Sequence, residues 1–389
     1  MKYVSLLAVL FLLSGCVSTA TLRGTGDLGV VVERATGSVQ IVETSGHSIL
    51  GEITGLGNLA HATVVFSRDQ RYAYVFGRDG GLTKVDLLTR RIVKRTIQAG
   101  DSIGGAISSD GRIIAVANYT PGGVKFFSSD TLEPLAEIPA ISADGSRSKV
   151  VGLVDASNDV FVFALFEAGE IWLADMHDPH HPKVTKYTNV GKQPYDSLLT
   201  PNGRWYLSGM FGEDGMALLD LWHPENGVKR ILGTYGREDA KMPVYKMPHL
   251  EGWGFYDHYA FVPAVGRPEV LVIDMNTWTV VKHIPTRGQP VFVVGQPASR
   301  RIWVNFAFPD NQYLQVIDAP EQQVIKTLEP GKGVMFLEFT PRGENVWVSA
   351  RDSDKLVVYD TETFEPVAEL PSVRPSGIFF TPRANHIGW

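Results

Sequence analysis

Two histidines, a tyrosine and an aspartate are the side chains best suited to chemistry. His61 follows Gly55-Leu56-Gly57-Asn58-Leu59-Ala60 and opens an apolar run, His249 stands in Met247-Pro248-His249, and Tyr195 and Asp196 follow Pro194. A neutral imidazole binds iron or exchanges a proton, a phenol donates one, and a carboxylate accepts one. Each also has a plainer use: a histidine bonded inside a turn, a tyrosine packed between elements, an aspartate closing a loop. Arg34, Arg78, Lys149, Lys246, Arg267 and Arg374 can hold carboxylates at a rim or simply be solvated. Tyr119, Trp253, Phe255, Phe292 and Phe336 can line an apolar mouth.

These residues are far apart in the chain, so repeated elements must bring them together. From His61 to Asp86 the sequence alternates short runs rich in β-branched and aromatic residues with turns at Arg68-Asp69-Gln70 and Gly77-Arg78-Asp79-Gly80-Gly81. That pattern predicts antiparallel strands joined by hairpins, one blade of a propeller. An aspartate predicted to close the third strand recurs at Asp86, Asp130, Asp175, Asp220, Asp274, Asp318 and Asp360, at intervals of roughly 42 to 54 residues. Seven such units fill His61 to Val373. Leu28 to Ile53 and Pro375 to Trp389 are left over, and each lacks what the other has. The expectation is an all-β, eight-bladed β-propeller whose last sheet takes strands from both chain ends, which removes an open edge. A seven-bladed ring with an N-terminal arm is the alternative. Function is expected at one end of the central channel, where loops entering the innermost strands converge and His61 and His249 can face each other.

Composition agrees with such a fold. Of 389 residues 44% are hydrophobic and 10% aromatic, with 39 Gly and 23 Pro for tight turns. A net charge of −6 is mild and argues against nucleic acid as the partner, while leaving room for local basic patches. Lys2, the apolar run Val4 to Leu13 and Leu13-Ser14-Gly15-Cys16 resemble a bacterial lipoprotein signal, with Cys16 the lipidated residue and the only cysteine. The expected division is 1–15 signal peptide, 16–27 tether and 28–389 propeller. The expected location is the periplasm, on a lipid anchor at the outer membrane, because Val17 follows the cysteine where Asp would favour the inner membrane. The membrane is then met only through the lipid.

Three other features look chemical. His177, His180 and His181 form Asp175-Met-His-Asp-Pro-His-His-Pro182, read as a solvated loop between outer strands rather than a metal site. Gly55 to Ala60 resembles half a dinucleotide fingerprint, but no helix is predicted to follow it. No Gly-x-Ser-x-Gly elbow supports a hydrolase.

His61, Arg71-Tyr72, Gly77-Arg78-Asp79-Gly80 and Val85-Asp86-Leu87 resemble the start of the haem d1 propeller of cytochrome cd1 nitrite reductases, in which the matching histidine is the proximal iron ligand. Asn118-Tyr119, Thr131-Leu132-Glu133-Pro134 and Pro248-His249 are similar to later parts of it, and the likeness covers about residues 28 to 389. The chain departs from those reductases in having no Cys-x-x-Cys-His, in its lipoprotein signal, and in Tyr195 near the place of a distal histidine. Those departures resemble the NirF family, lipoproteins required to make haem d1. The resemblance implies that the chain handles a late precursor such as dihydro-haem d1 rather than reducing nitrite. It further implies that His61 meets the iron, that His249, Tyr195 and Asp196 give acid or base help, and that Arg34, Arg78, Tyr119, Lys149 and Trp253 bind the macrocycle. An enzyme that converts or dehydrogenates a side chain is the leading expectation, with periplasmic c-type cytochromes and cytochrome cd1 maturation proteins as partners. A ligand-free scaffold lipoprotein is the alternative, and the sequence leaves open whether the protein is a homodimer.

Overall fold

Eight sheets answer the eight repeats. A computed structural model describes residues 23–233, 252–264 and 266–388. Each sheet has four antiparallel strands. Blades 2 to 8 are single stretches of chain, 63–97, 101–138, 150–187, 194–231, 254–285, 290–328 and 334–371. Blade 1 joins Leu28–Glu33, Ser38–Glu43 and Ser48–Ile53 to Pro375–Phe380 from the other end of the chain. The register pairs Val30 with Phe379 and Val31 with Ile378, so the ring closes by backbone hydrogen bonds. The seven-bladed alternative falls.

Burial explains the two kinds of strand pattern. Leu28–Glu33 and Gly81–Asp86 are buried along their whole length because both faces pack against neighbouring blades. Outer strands such as Gln323–Leu328 alternate exposed and covered residues. Trp172, Trp303 and Trp347 are among the fully buried side chains in the layers between blades.

The recurrent aspartates hold turns. Asp86 Oδ1 accepts hydrogen bonds from the backbone N–H groups of Leu88 and Thr89 at 2.9 and 3.1 Å, and Asp360 does the same for Glu362 and Thr363. Arginines just before the second strand supply counter-charges: Arg71 to Asp86 at 2.8 Å, Arg204 to Asp220 at 2.7 Å. Asp130 differs. Its third strand ends at Ser128, and the Ser128 hydroxyl takes the turn position, accepting from the N–H of Thr131. Asp130 instead lies 3.6 Å from Lys84 of blade 2.

The Arg204 guanidinium holds the Asp220 carboxyl below its ordinary value against the opposing effect of burial. A depressed native pKa adds stability above the unfolded value near ~3.9 and loses it as pH falls through the native one. Arg204→Gln is therefore expected to cost about 1 kcal/mol at pH 7 and progressively less below pH 4. Urea melts across that range check this, and a cost independent of pH would contradict it.

Strand polarity gives the wheel two distinct faces. Innermost strands start on one face, at Thr63, Asp101, Val150, Pro194, Gly254, Pro290, Val334 and Pro375. The antiparallel second strands end there, so the turns after Phe76, Leu165 and Met210 share that face. Arg71 with Asp86 and Arg204 with Asp220 lie on the opposite face. This separates the family-like motif into a structural half and a half at the channel mouth.

Candidate functional site

His61 occupies the last turn before Thr63–Phe66 and is exposed. Its φ is +60°, in the left-handed region that histidine tolerates better than most residues. Gln193, Gly333 and Arg374, each just before an innermost strand, share that conformation, so it belongs to the fold and is not peculiar to His61. The loop is tied down from blade 2. Arg78 N–H donates to the Asn58 carbonyl at 2.7 Å, the Asn58 N–H donates to Asp79 at 3.3 Å, and Arg95 bridges Asp79 and the Leu56 carbonyl. The position of His61 is thus coupled to the turn carrying Arg78. Gly80 in that turn needs its φ of +76°, since a Cβ there would sit 2.0 Å from the Ala99 carbonyl oxygen.

Arg78 joins a cluster spanning blades 2 to 5. Its guanidinium lies 4.5 Å from the Tyr119 ring centre and pairs with Asp101 at 2.8 Å. The hydroxyls of Tyr119 and Tyr195 are 2.5 Å apart. Phe166 stands edge-on to Tyr195 at 5.6 Å, with Phe211 5.7 Å from Phe166. Lys149 Nζ is 5.1 Å from the Phe166 ring centre, 5.9 Å from that of Tyr119, and bonded to Glu167 at 2.5 Å.

The electrostatics follow from burial and pairing. Burial, and then the shared hydrogen bond, push the Tyr119 phenol above its ordinary value; burial does the same to Tyr195. Both hydroxyls are therefore protonated at neutral pH. Burial would raise the Glu167 carboxyl, but hydrogen bonds from the Lys149 side chain and backbone outweigh it and hold it below the ordinary range. Asp196 accepts a hydrogen bond from the N–H of Ser197 at 3.1 Å. Across the channel, on the innermost strands of blades 7, 8 and 1, Phe292 and Phe336 lie 5.2 Å apart and Phe336 and Phe379 5.7 Å.

The residues expected from sequence distribute unevenly. Arg78, Tyr119, Lys149 and Tyr195 come together, and His61 and Asp196 share their face. Arg34 is on that face in the turn after Leu28–Glu33. Trp253 is not exposed at the mouth: it is packed in the apolar layer with Leu198, Leu207 and Ala260, where a large indole gains most from burial. His249, Lys246 and Cys16 lie outside the described residues. Exposed His177 and His181 pair with Asp175 and Asp178 in a hairpin on the opposite face. Asp101, Phe166, Glu167 and Phe211 were missed. The repeat register could have found two of them, since Phe166 and Phe211 each directly follow a second strand, as Gly77 does.

The structure is a closed eight-bladed wheel with cations and aromatics gathered at one mouth. Residues 23–384 match the family model described as the cytochrome D1 heme domain. Within that class the chain belongs to the NirF family: it is 58% identical to Protein NirF of Pseudomonas aeruginosa over 98% of this chain and 97% of that one. It is also 30% identical to the dihydro-heme d1 dehydrogenase of the same organism, over 85% of this chain and 66% of that one. The solved structure of dihydro-heme d1 dehydrogenase NirN in complex with DHE superimposes with a TM-score of 0.82 at 26% identity, covering 95% of this chain and 78% of that chain.

Proposed function

We propose that the chain is a periplasmic lipoprotein of haem d1 biosynthesis that binds a late precursor such as dihydro-haem d1 at the channel mouth and acts on, or holds, its side chains. The observation carrying this reading is the Arg78, Tyr119, Tyr195, Lys149 cluster, on the same face as an exposed imidazole. A planar acidic macrocycle needs an aromatic surface, cations for its carboxylates and a nitrogen ligand for its iron, and the donor set fits all three. The likeness to a dehydrogenase named for dihydro-heme d1 supports the choice of ligand.

In this reading His61 ligates the substrate's iron, Arg78 and Lys149 take its carboxylates, and Tyr119 stacks beside Arg78. Tyr195 presents a protonated hydroxyl to the distal side, and Asp196 is the nearest base on the same strand. His249 is proposed as a second acid or base. An oxidative step would pass electrons to a soluble acceptor such as a c-type cytochrome. Lipidation at Cys16, with residues 1–15 removed, places the protein at the membrane. Equilibrium titration with dihydro-haem d1, followed by Soret absorption, tests the reading. A saturable one-to-one shift supports it, and an unchanged spectrum at any ratio favours a ligand-free scaffold.

A further inference from the structure

Residues 23–27 and 381–388 gather on the face opposite the mouth. Arg23 pairs with Asp27 and Glu43 at 3.0 and 2.7 Å, and the Thr25 hydroxyl donates to the Asp69 carbonyl at 3.4 Å. Leu28–Glu33 then runs from that face towards the mouth. At the other terminus the chain leaves blade 1 after Phe380, where the Thr381 hydroxyl donates to the Thr25 carbonyl at 2.6 Å, and crosses beneath the channel.

The crossing is firmly held. Arg383 pairs with Glu338 of blade 8 at 2.5 Å, Arg68 of blade 2 donates to the carbonyls of Ala384 and His386, and Gly388 N–H donates to Asp155 of blade 4 at 3.0 Å. Ile387 packs with the apolar layer that includes Leu199 of blade 5, directly across the ring from blade 1. Ala384 and His386 of the tail line a small void together with Val64, Phe66 and Ile107. The tail thus lies across this face, tied to blades 8, 2 and 4.

We infer that the lipid-anchored protein stands on the membrane with this closed face down, so that its mouth opens to the aqueous side and exchanges the macrocycle with water-soluble partners. The step rests on lipidation at Cys16, proposed above, and not on iron ligation by His61. Geometry carries it. From Cys16 to Arg23 the chain reaches at most about 25 Å. To bring the mouth to the lipid, it would have to pass two outer strands, about 10 Å, and then climb the wheel's thickness, about 20 Å. A seven-residue tether is too short for that path.

Energy transfer to a vesicle-surface acceptor tests the inference on the full-length lipidated chain. Thr89→Cys places a donor dye in an exposed turn of the closed face, and Ala143→Cys places one in an exposed loop of the mouth face. The expected result is markedly higher transfer from position 89 than from position 143. Equal or reversed efficiencies overturn the orientation while leaving the anchor intact. Transfer from neither position overturns the anchor, and the inference with it, whatever the precursor titration gives.

Discussion

Replacing His61 by glycine is expected to abolish the Soret shift of added dihydro-haem d1, and imidazole in the buffer is expected to restore it. Glycine accepts the positive φ at this position, so the loop survives while the ligand is lost; alanine would add backbone strain to the comparison. The loop also has ties of its own through Asn58, Asp79 and Arg95. Altering groups that merely orient a metal ligand commonly costs 10- to 100-fold in affinity, so losing the ligand should cost at least about 100-fold. Spectrophotometric titration of the two proteins, with circular dichroism to verify the fold, makes the comparison. A His61→Gly protein that still gives the full shift without imidazole would remove the iron from this site.

Arg78→Gln has the second-largest expected effect. Its guanidinium is fixed between the Tyr119 ring and Asp101, and a charge-assisted hydrogen bond contributes about 1.5–3 kcal/mol, or roughly 10- to 100-fold in Kd. The loss should fall at the upper end, because removing Arg78 also leaves the Asp101 carboxylate facing an acidic ligand. The companion variant Asp101→Asn removes a competitor for the guanidinium and is expected to bind as tightly as the parent or more so. Titrations at low and moderate salt separate the two cases: the Arg78 contribution weakens with ionic strength, while stacking on Tyr119 persists. Equal affinity of parent and Arg78→Gln at low salt would contradict the assignment.

What the sequence revealed depended on whether a feature is local. Asp86, Asp220 and Asp360 were legible as punctuation because each binds backbone N–H groups two or three residues on, which requires the same side chain in every repeat. Asp130 breaks that rule because Ser128 does the work two residues earlier. The closure of blade 1 was legible from two incomplete fragments, since an unpaired strand at each end of the chain has only the other to pair with. At the mouth, entry position identified Lys149 and Tyr195, and motif position identified Arg78 and Tyr119. Asp101 meets Arg78 across the gap between blades 2 and 3, a distance that no spacing within one blade encodes, and Glu167 meets Lys149 only once the first two strands of blade 4 have paired. Trp253 shows the same gap from the other side: it enters an innermost strand as Tyr195 does, yet the neighbouring blade draws it into the apolar layer. The motif residues Arg71 and Asp86 resemble the haem d1 propellers for structural reasons, as an ion pair on the closed face.

Anomalous diffraction at the iron edge, from crystals of the chain loaded with dihydro-haem d1, tests the central claim most directly. The expected result is one iron position at the mouth, bonded to the His61 imidazole, with the macrocycle's carboxylates turned towards Arg78 and Lys149. An iron peak remote from His61, or on the face closed by the C-terminal segment, would contradict it.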